Sequence, residues 1–389
     1  MSPAKHILPT IVLAQFCCTS LWFASNGVIG DLIINFGLGS FALGHLTSAV
    51  QLGFIAGTLV FALFTLTDRF SPSRLFFVCG VLGALSNASL LWQGNTYGSL
   101  LFLRFLTGFF LAGIYPVGMK IAADYYDKGL GKSLGFLVGA LVVGTAVPHF
   151  LKGLGDLVSW LWVIGATSVL AVFGGTILLL LVPNGPYRKP SQHIDLSACI
   201  KVFAVKDFRA AAFGYFGHMW ELYTFWAFVP LLLSLFAKKR NISLDISLWS
   251  FVVIAIGGLA CVMGGYLSHR WGTKFVAAAA LALSGCCCLL FPWILQIPDT
   301  TVFLAFLCFW GMVVIADSPL FSTLVAQNAD PERKGTALTI VNGLGYSITI
   351  GSILLLLYAQ ETWNTPWIFL LLAVGPVLGL IGLLRPFKG

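Results

Sequence analysis

Charged residues are scarce in this chain of 389 residues. Asp, Glu, Lys and Arg together make up 9% of it, whereas a soluble globular domain contains about 25%. A water-soluble fold of this length could not cover its surface with so few charges. The scarcity excludes a soluble enzyme, a disordered chain and a nucleic-acid-binding protein, although the formal net charge is +8.

Sequence signals for bound cofactors and metals are missing as well. The chain has neither a His-Glu-x-x-His motif nor a phosphate-binding glycine loop, so a metalloprotease and a nucleotide-driven pump are not expected. Its nine cysteines form no disulfide framework. The consecutive Cys286, Cys287 and Cys288 cannot face one ion, because neighbouring residues on a helix point about 100° apart. We therefore expect no enzyme, no cofactor and no metal site.

Long apolar runs fill most of the chain instead. Hydrophobic residues make up 58% of it, and the mean hydropathy is +0.94. A helix of about 20 apolar residues crosses the hydrocarbon core of a bilayer. The pattern predicts an all-α polytopic membrane protein with twelve transmembrane spans, numbered here in chain order: 7–33, 41–66, 74–93, 97–122, 131–152, 157–182, 210–236, 246–268, 274–296, 300–326, 335–358 and 364–385.

The two halves of the chain repeat each other. Gly108 and Pro116 in span 4 recur as Gly311 and Pro319 in span 10, with the same spacing of eight residues. Duplicated six-helix halves around a site at the midplane are an architecture of secondary transporters. We expect two pseudo-symmetric halves, 1–182 and 210–389, joined by a cytoplasmic loop over 183–209.

The basic residues are distributed unequally between the two sides of the predicted spans. Of 22 Lys and Arg residues, 17 lie in segments on the side of the N-terminus and one, Arg104, lies inside a span. Because cytoplasmic loops are enriched in Lys and Arg, both termini are expected in the cytoplasm. We expect a bacterial inner-membrane protein. Four basic residues are then left in outer loops: Lys152, Lys238, Lys239 and Arg240.

Two inner loops and span 4 contain short motifs in repeat-related positions. The loop after span 2 contains Leu66-x-Asp68-Arg69 and, further on, Arg74. The loop after span 8 contains Gly265-x-Leu267-x-His269-Arg270-x-Gly272-x-Lys274. Both resemble the G-x-L-x-D-R-x-G-R/K signature of the major facilitator superfamily. Span 4, with Arg104-x3-Gly108-x3-Ala112-Gly113-x2-Pro116, resembles the buried-arginine motif of that superfamily.

This resemblance covers the whole chain and implies the major facilitator fold. Beside this resemblance, a carboxylate at the end of one helix and arginines in the next loop can form a latch that holds the two halves together in one state and releases them in the other. The residues that match the latch are Asp68, Arg69, Arg74, Arg270 and Lys274. The same basic residues also satisfy the positive-inside rule, so a purely topological role is an equal alternative.

Three charged residues lie deep within predicted spans. Arg104 is in span 4, Glu221 in span 7 and Asp317 in span 10. Each costs roughly 2.5–3.5 kcal/mol at a helix centre and therefore needs a partner or water. The resemblance implies that spans 1, 4, 7 and 10 line a central cavity, which makes these residues candidates for substrate binding and proton coupling. Static pairing, for example of Arg104 with Glu221, is the alternative.

Other polar groups of the same spans extend this candidate site. His218 precedes Glu221 by three residues, so the two share a helix face and together could carry a coupling proton. The alternative for His218 is a core histidine bonded to a backbone carbonyl. Asn26 and Tyr115 are candidates for the cavity lining, although at helical spacing they fit packing equally well.

The function predicted from these features is secondary active transport of a small organic solute by alternating access, coupled to protons. An organic anion is one candidate for the solute. A drug or metabolite exporter is the second hypothesis, and a non-transporting sensor or scaffold on a carrier fold is the third. The expected partners are the solute, protons and membrane lipid, with no nucleic acid, and the expected state is a monomer.

One segment points to a branch of the superfamily. Residues 316–328 resemble an uncharacterised bacterial branch that is sometimes labelled nitrate/nitrite-like. Nitrate carriers of the superfamily have arginines in spans 2 and 8, and these spans contain none here. Nitrate itself is therefore not the predicted solute.

Overall fold

The computed structural model describes residues 5–126, 130–155, 159–188, 202–329 and 334–384, and all regular structure in these ranges is helical. The chain divides into two compact units. Unit 1 comprises Met1–Ser191 and Asp245–Ala255, and unit 2 comprises Gln192–Leu244 and Ile256–Gly389. The half boundaries expected from the sequence stay a prediction, and residues 189–201 of the expected central loop lie outside the described residues.

Unit 1 contains spans 1 to 6. Span 1 consists of three helices in succession, span 4 of two, and a short helix follows span 2. In chain order the helices are Ile7–Thr19, Ala24–Gly27, Ile29–Phe36, Ala42–Leu63, Leu66–Arg69, Pro72–Ala88, Tyr97–Leu111, Tyr115–Tyr125, Leu130–Lys152 and Trp160–Leu181.

Unit 2 contains spans 7 and 9 to 12 and the greater part of span 8. Span 7 is the longest helix; it begins at Lys206, within the loop expected from the sequence. Span 10 consists of two helices, and span 12 begins as a 3₁₀ helix. The helices are Lys206–Arg240, Ile246–Trp271, Thr273–Ile294, Thr300–Ala316, Ser318–Asn328, Lys334–Trp363, Pro366–Ala373 and Val374–Leu384.

The predicted all-helical membrane fold is confirmed. Eleven helices within the described ranges are long and apolar enough to cross a membrane, and Ile7–Thr19 is a shorter apolar helix that begins span 1. Span 1 differs from the single helix expected over 7–33, because its backbone leaves the helical path between Thr19 and Ala24.

Spans 4 and 10 are interrupted at repeat-related positions. The first helix of span 4 ends at Leu111 and the second begins just before Pro116, while the helices of span 10 meet at Asp317, two residues before Pro319. Proline lacks a backbone N–H and disfavours helical geometry at the preceding residue. The duplicated prolines thus explain why both spans break at the same point of the repeat.

Close packing of spans 2 and 4 requires glycine. A Cβ atom at Gly53 would overlap the carbonyl oxygen of Phe105, and one at Gly108 would overlap the carbonyl oxygen of Val50. Small residues let two backbones approach in this way, and such contacts drive helix association in a bilayer. The repeated Gly108 is therefore a packing residue of unit 1.

Polarity is distributed as expected for a protein in lipid. Large apolar side chains lie on the outside, with Ile34 85% and Leu180 73% exposed. Arg104, Glu221 and Asp317 are completely buried. Charged groups in the interior cost free energy unless other groups solvate them, so their surroundings define the candidate site.

Candidate functional site

In unit 1, Arg104 of span 4 binds the backbone of span 1 where that span is interrupted. Nη2 of Arg104 donates hydrogen bonds to the backbone oxygens of Leu21, at 3.1 Å, and Trp22, at 2.6 Å. These carbonyls lie between Thr19 and Ala24, where the α-helix is broken and the backbone hydrogen bonds join residues three apart. Arg104 therefore supplies donors to the backbone that the break exposes.

Asn87 of span 3 holds the other side of the guanidinium. Its Oδ1 accepts a hydrogen bond from Nη1 of Arg104 at 3.1 Å. Its Nδ2 lies within hydrogen-bonding distance of three oxygens on span 6: the backbone oxygen of Ile164 and the hydroxyls of Thr167 and Ser168, at 3.0–3.2 Å. Spans 1, 3, 4 and 6 thus meet at one buried polar centre.

The partners of Arg104 within the described chain are all neutral acceptors in unit 1. A pairing of Arg104 with Glu221 would involve both units and stays a prediction. Sequence reasoning missed Asn87, and the signal that could have found it is an amide in the middle of an otherwise apolar run.

The two other unit 1 candidates also lie next to helix breaks. Asn26 is in the short helix Ala24–Gly27; it is buried and its Nδ2 donates to the hydroxyl of Thr47 at 2.9 Å. Tyr115 begins the second helix of span 4 and is half-buried. Their assignment to a substrate site stays a prediction.

Glu221 occupies a separate polar centre in unit 2. Its carboxylate accepts hydrogen bonds from Trp310 Nε1 at 2.7 Å, from the Ser284 hydroxyl at 2.9 Å and from the Cys288 thiol at 3.2 Å. Spans 9 and 10 supply these donors. None of the three is charged, so among the described residues Glu221 is solvated by neutral dipoles alone.

His218 faces Asp317 in the same unit. Its Nδ1 lies 2.8 Å from Oδ1 of Asp317, and both side chains are at most 1% exposed. Asp317 stands at the junction of the two helices of span 10. The sequence grouped His218 with Glu221 because they share a helix face, whereas the nearest acid to the imidazole belongs to another span.

Hydroxyl and aromatic groups of spans 7 and 11 form further buried pairs in unit 2. The hydroxyls of Tyr223 and Tyr346 lie 3.0 Å apart, and the hydroxyl of Thr224 bonds that of Ser352. Sequence reasoning missed Trp310, the donor closest to Glu221. Its position directly before the repeated Gly311 was the available signal.

The basic residues of the expected latch lie in the segments after span 2 and after span 8. Arg69 and Arg74 of unit 1 are exposed, and so are Arg270 and Lys274 of unit 2. The side chain of Asp68 lies outside the described part of the structure. The latch thus stays a prediction.

A metal centre is not found in the described ranges, where no group of three or more His, Cys, Asp or Glu side chains could hold an ion. Of the consecutive cysteines, Cys286 is exposed, while Cys287 and Cys288 are buried. Cys288 instead donates its thiol hydrogen to Glu221.

Comparison with known proteins decides the family. The model of the Major Facilitator Superfamily matches residues 11–354. The chain belongs to the major facilitator superfamily. It is therefore a multi-pass integral membrane transporter with a small-molecule substrate.

Two relatives in Escherichia coli agree with this membership. The first is AraJ of strain K12, which is named as a transporter. It is 23% identical over 364 residues, which is 90% of this chain and 85% of AraJ. The uncharacterized transporter YgaY of strain O157:H7 is 26% identical over 201 residues, which is 50% of this chain and 49% of YgaY.

Solved structures show the same fold. A mutant of the nucleoside transporter NupG aligns with a TM-score of 0.72 at 15% identity, over 98% of this chain and 100% of that one. The human organic anion transporter MFSD10 (TETRAN) aligns with a TM-score of 0.74 at 14% identity and the same coverage. At these identities the likeness concerns the fold alone.

Proposed function

We propose that this transporter is a proton-coupled secondary carrier of a small organic solute, and that unit 2 holds the proton. The observation that carries the proposal is the complete burial of Glu221, Asp317 and His218 without a Lys or Arg partner among the described residues. A buried carboxylate with no permanent cation beside it is stabilised by taking up a proton. Such a group can bind a proton from one side of the membrane and release it to the other.

The pair of His218 and Asp317 can share one proton between two sites. When the imidazole carries the proton, the pair is ionic; when the carboxylate carries it, both groups are neutral. The distance of 2.8 Å between Nδ1 and Oδ1 places the two groups in direct contact. In this proposal, a change in the surroundings of either group moves the proton to the other.

Glu221 is balanced between two influences. Its three neutral donors stabilise the carboxylate, while complete burial favours the protonated acid. In this proposal, a small movement of span 9 or span 10 removes one of these donors and favours the protonated form of Glu221. This sensitivity is what coupling requires, because the carboxyl group must hold a proton in one state and lose it in another.

Arg104 takes a supporting role in this proposal. Its two bonds to the span 1 backbone set the position of Leu21 and Trp22, and its bond to Asn87 anchors it to span 3. Because the guanidinium remains charged at every physiological pH, it cannot itself exchange the coupling proton. A direct contact of Arg104 with an anionic solute stays the prediction made from the sequence.

The solute classes to test first come from the similar folds and from the sequence. NupG is named a nucleoside transporter and MFSD10 an organic anion transporter. Purified protein should be screened by thermal unfolding against nucleosides, organic acids, sugars and cationic drugs. A ligand that binds only the folded protein raises its unfolding temperature.

The decisive experiment measures solute-dependent proton flux in proteoliposomes that contain a pH-sensitive dye. We expect a stabilising solute to move protons across the membrane, with the same solute failing in protein-free vesicles. Solute movement without proton flux would contradict proton coupling. Binding without any movement would favour the sensor or scaffold hypothesis.

An exporter is the second candidate function. Buried aromatic side chains of span 7 favour it, since Phe225 packs on Trp310 with ring centroids 4.5 Å apart and Tyr223 packs on Tyr346 at 5.5 Å. Aromatic surfaces of this kind suit apolar drugs and cations. Inverted vesicles distinguish the candidates: an exporter accumulates its solute when the interior is acidified, whereas an importer loses it.

We also propose the inner-membrane orientation with both termini in the cytoplasm. One of the four outer basic residues, Lys152, pairs with Asp31 at 2.9 Å, which reduces the free positive charge on the outer side. A cysteine introduced by Glu361→Cys into a cysteine-free background should react with an impermeant maleimide from outside. Reaction only after permeabilisation would reverse the orientation.

A further inference from the structure

A row of polar side chains without partners follows one side of span 2 in unit 1. Gln51 is completely buried, and both polar atoms of its side-chain amide lack a hydrogen-bond partner among the described residues. The hydroxyl oxygens of Ser48 and Thr58 on the same helix are also buried and without a partner there. Residues at these spacings lie close together around a helix, so the three groups share one side of span 2.

The two hydroxyls of this row do not bond to their own helix. A Ser or Thr inside a helix often donates its hydroxyl hydrogen to the carbonyl four residues earlier. Thr47 of span 2 does so, with its hydroxyl 2.6 Å from the backbone oxygen of Leu43. Ser48 and Thr58 make no such bond. Their hydroxyls are therefore available to a group outside span 2.

Span 1 supplies the groups next to the row. Asn26 Nδ2 donates to the hydroxyl of Thr47 at 2.9 Å, and the ring of Trp22 packs on that of Phe54 with centroids 4.9 Å apart. Along span 2, Thr47 lies one turn before Gln51 and Phe54 lies about one turn after it. Gln51 is therefore flanked by a polar contact and an aromatic contact to the interrupted part of span 1.

The hydrogen-bonding groups of the row are all uncharged. An amide offers donors on its nitrogen and an acceptor on its oxygen, and a hydroxyl can do either. Arg104, which binds the backbone at Leu21 and Trp22, already uses both of its Nη atoms on neutral acceptors. The row therefore suits an uncharged solute with hydroxyl or amide groups on an apolar body better than it suits an anion.

We propose that Gln51 binds the transported solute and, together with Ser48, selects an uncharged solute that carries hydroxyl or amide groups. This inference rests on solute transport in the proposed function and not on its proton coupling. A buried polar group without a partner costs the free energy of its desolvation. A solute that supplies the missing partners removes this cost, so it favours the arrangement in which Gln51 is enclosed.

Three matched pairs of probes test the chemistry of the solute. Each pair joins an uncharged compound to an anionic derivative: uridine and uridine monophosphate, glucose and glucuronate, nicotinamide and nicotinate. Thermal unfolding of the purified full chain in detergent measures the binding of each probe. We expect the uncharged member of at least one pair to raise the unfolding temperature, and its anion to raise it less. Stabilisation by the anions instead, or by none of the uncharged probes, would contradict the proposal.

Gln51→Leu separates solute binding from packing. Leucine is similar in size and has no polar side-chain atom, so the variant removes the hydrogen bonds to the solute together with the unpaired amide. We expect the affinity for the stabilising probe to fall by about tenfold or more, while the unfolding temperature of the empty protein stays equal or rises. Gln15→Leu is the matched control and should keep the affinity. Gln15 is also completely buried with an unpartnered amide, but it packs against Gly118 of span 4.

The variants can overturn the proposal in three ways. Equal loss of affinity in Gln15→Leu would mean that binding responds to any change of a buried amide. A lower unfolding temperature of empty Gln51→Leu would show that an internal partner, such as a water molecule, already bonds to the amide. Ser48→Ala should weaken binding by about threefold, and wild-type affinity in both Ser48→Ala and Gln51→Leu would remove the row from the binding site. Binding in detergent involves no proton gradient, so these results refute this site without affecting proton coupling, which the flux measurement decides separately.

Discussion

The two units bury their charged groups in contrasting surroundings. In unit 1, Arg104 donates to two backbone carbonyls and to the Asn87 side chain. In unit 2, Glu221 accepts from three side chains, and Asp317 lies beside a histidine. The guanidinium bonds to neutral acceptors, whereas one acid bonds to neutral donors and the other lies beside an imidazole.

This difference separates a structural charge from an exchangeable one. Arginine stays protonated throughout the physiological range, so permanent carbonyl acceptors give it a permanent position. A carboxyl group and an imidazole can both gain or lose a proton, which a guanidinium cannot. We therefore expect substitutions in unit 1 to act on folding and those in unit 2 to act on coupling.

The largest expected effect is that of Arg104→Ala. The substitution removes the Arg104 donors from the buried oxygens of Leu21, Trp22 and Asn87, and Leu21 O keeps only its bond from the Ala24 N–H. We expect the free energy of unfolding to fall by on the order of 3 kcal/mol, measured by thermal unfolding in detergent. The exposed Arg270→Ala is the control. If Arg104→Ala keeps wild-type stability but loses solute binding, Arg104 contacts the solute. The charge of unit 1 would then not be structural, contrary to the comparison of the two units.

The next effect concerns proton coupling at Glu221. Glu221→Gln keeps the shape of the side chain but cannot ionise, so it imitates the protonated state. We expect complete loss of pH-driven accumulation in proteoliposomes, with solute binding and some exchange retained. Glu361→Gln is the matched control, because Glu361 is exposed. Accumulation with the wild-type pH dependence in Glu221→Gln would transfer the proton site to Asp317 or His218.

A double-mutant cycle tests which acid partners His218. Asp317→Asn and His218→Gln should be coupled by about 0.5–3 kcal/mol in unfolding free energy, as is typical of groups in direct contact. The cycle of His218→Gln with Glu221→Gln should give a smaller coupling, since Glu221 bonds to Trp310, Ser284 and Cys288 instead. A larger coupling in the second cycle would restore the pairing expected from helix spacing.

A smaller loss of stability is expected for Asn87→Ala. It removes one acceptor from Arg104 and the amide contacts to span 6, and we expect a loss of about 1–2 kcal/mol. The neighbouring Ser86→Ala is the control, because the Ser86 hydroxyl bonds only to Leu82 O within its own helix among the described residues. Equal losses in the two variants would show that Asn87 merely packs.

The smallest effect concerns the loops after spans 2 and 8. Thr65 after span 2 adopts φ +49°, whereas the loop after span 8 uses Gly272 at φ +88°. A left-handed conformation is unfavourable for a residue with a Cβ. Thr65→Gly should therefore stabilise unit 1 by about 1 kcal/mol or less, measured by thermal unfolding. Thr67→Gly, in the following helical turn, should destabilise unit 1. If Thr65→Gly proved less stable than Thr67→Gly, the backbone at Thr65 would not be strained.

Much of the fold could be predicted from the sequence because it depends on local hydropathy. Apolar runs long enough to cross a bilayer become helices, since no other partner for the backbone exists in lipid. The duplicated glycine and proline positions indicated the repeat, and the prolines also account for the interrupted helices at Leu111 and Asp317. The interruption of span 1 was not predicted, because no proline or glycine marks residues 20–23.

The candidate residues could be chosen from the sequence, but their partners could not. A charge inside an apolar run is costly wherever the helix packs, so Arg104, Glu221 and Asp317 were recognisable one by one. Helical spacing shows only which residues of the same helix share a face. It therefore paired His218 with Glu221, which lies three residues further along the same helix. The contact of His218 with Asp317 and that of Arg104 with the broken backbone of span 1 depend on how helices rotate and pack against one another, which only the tertiary structure decides.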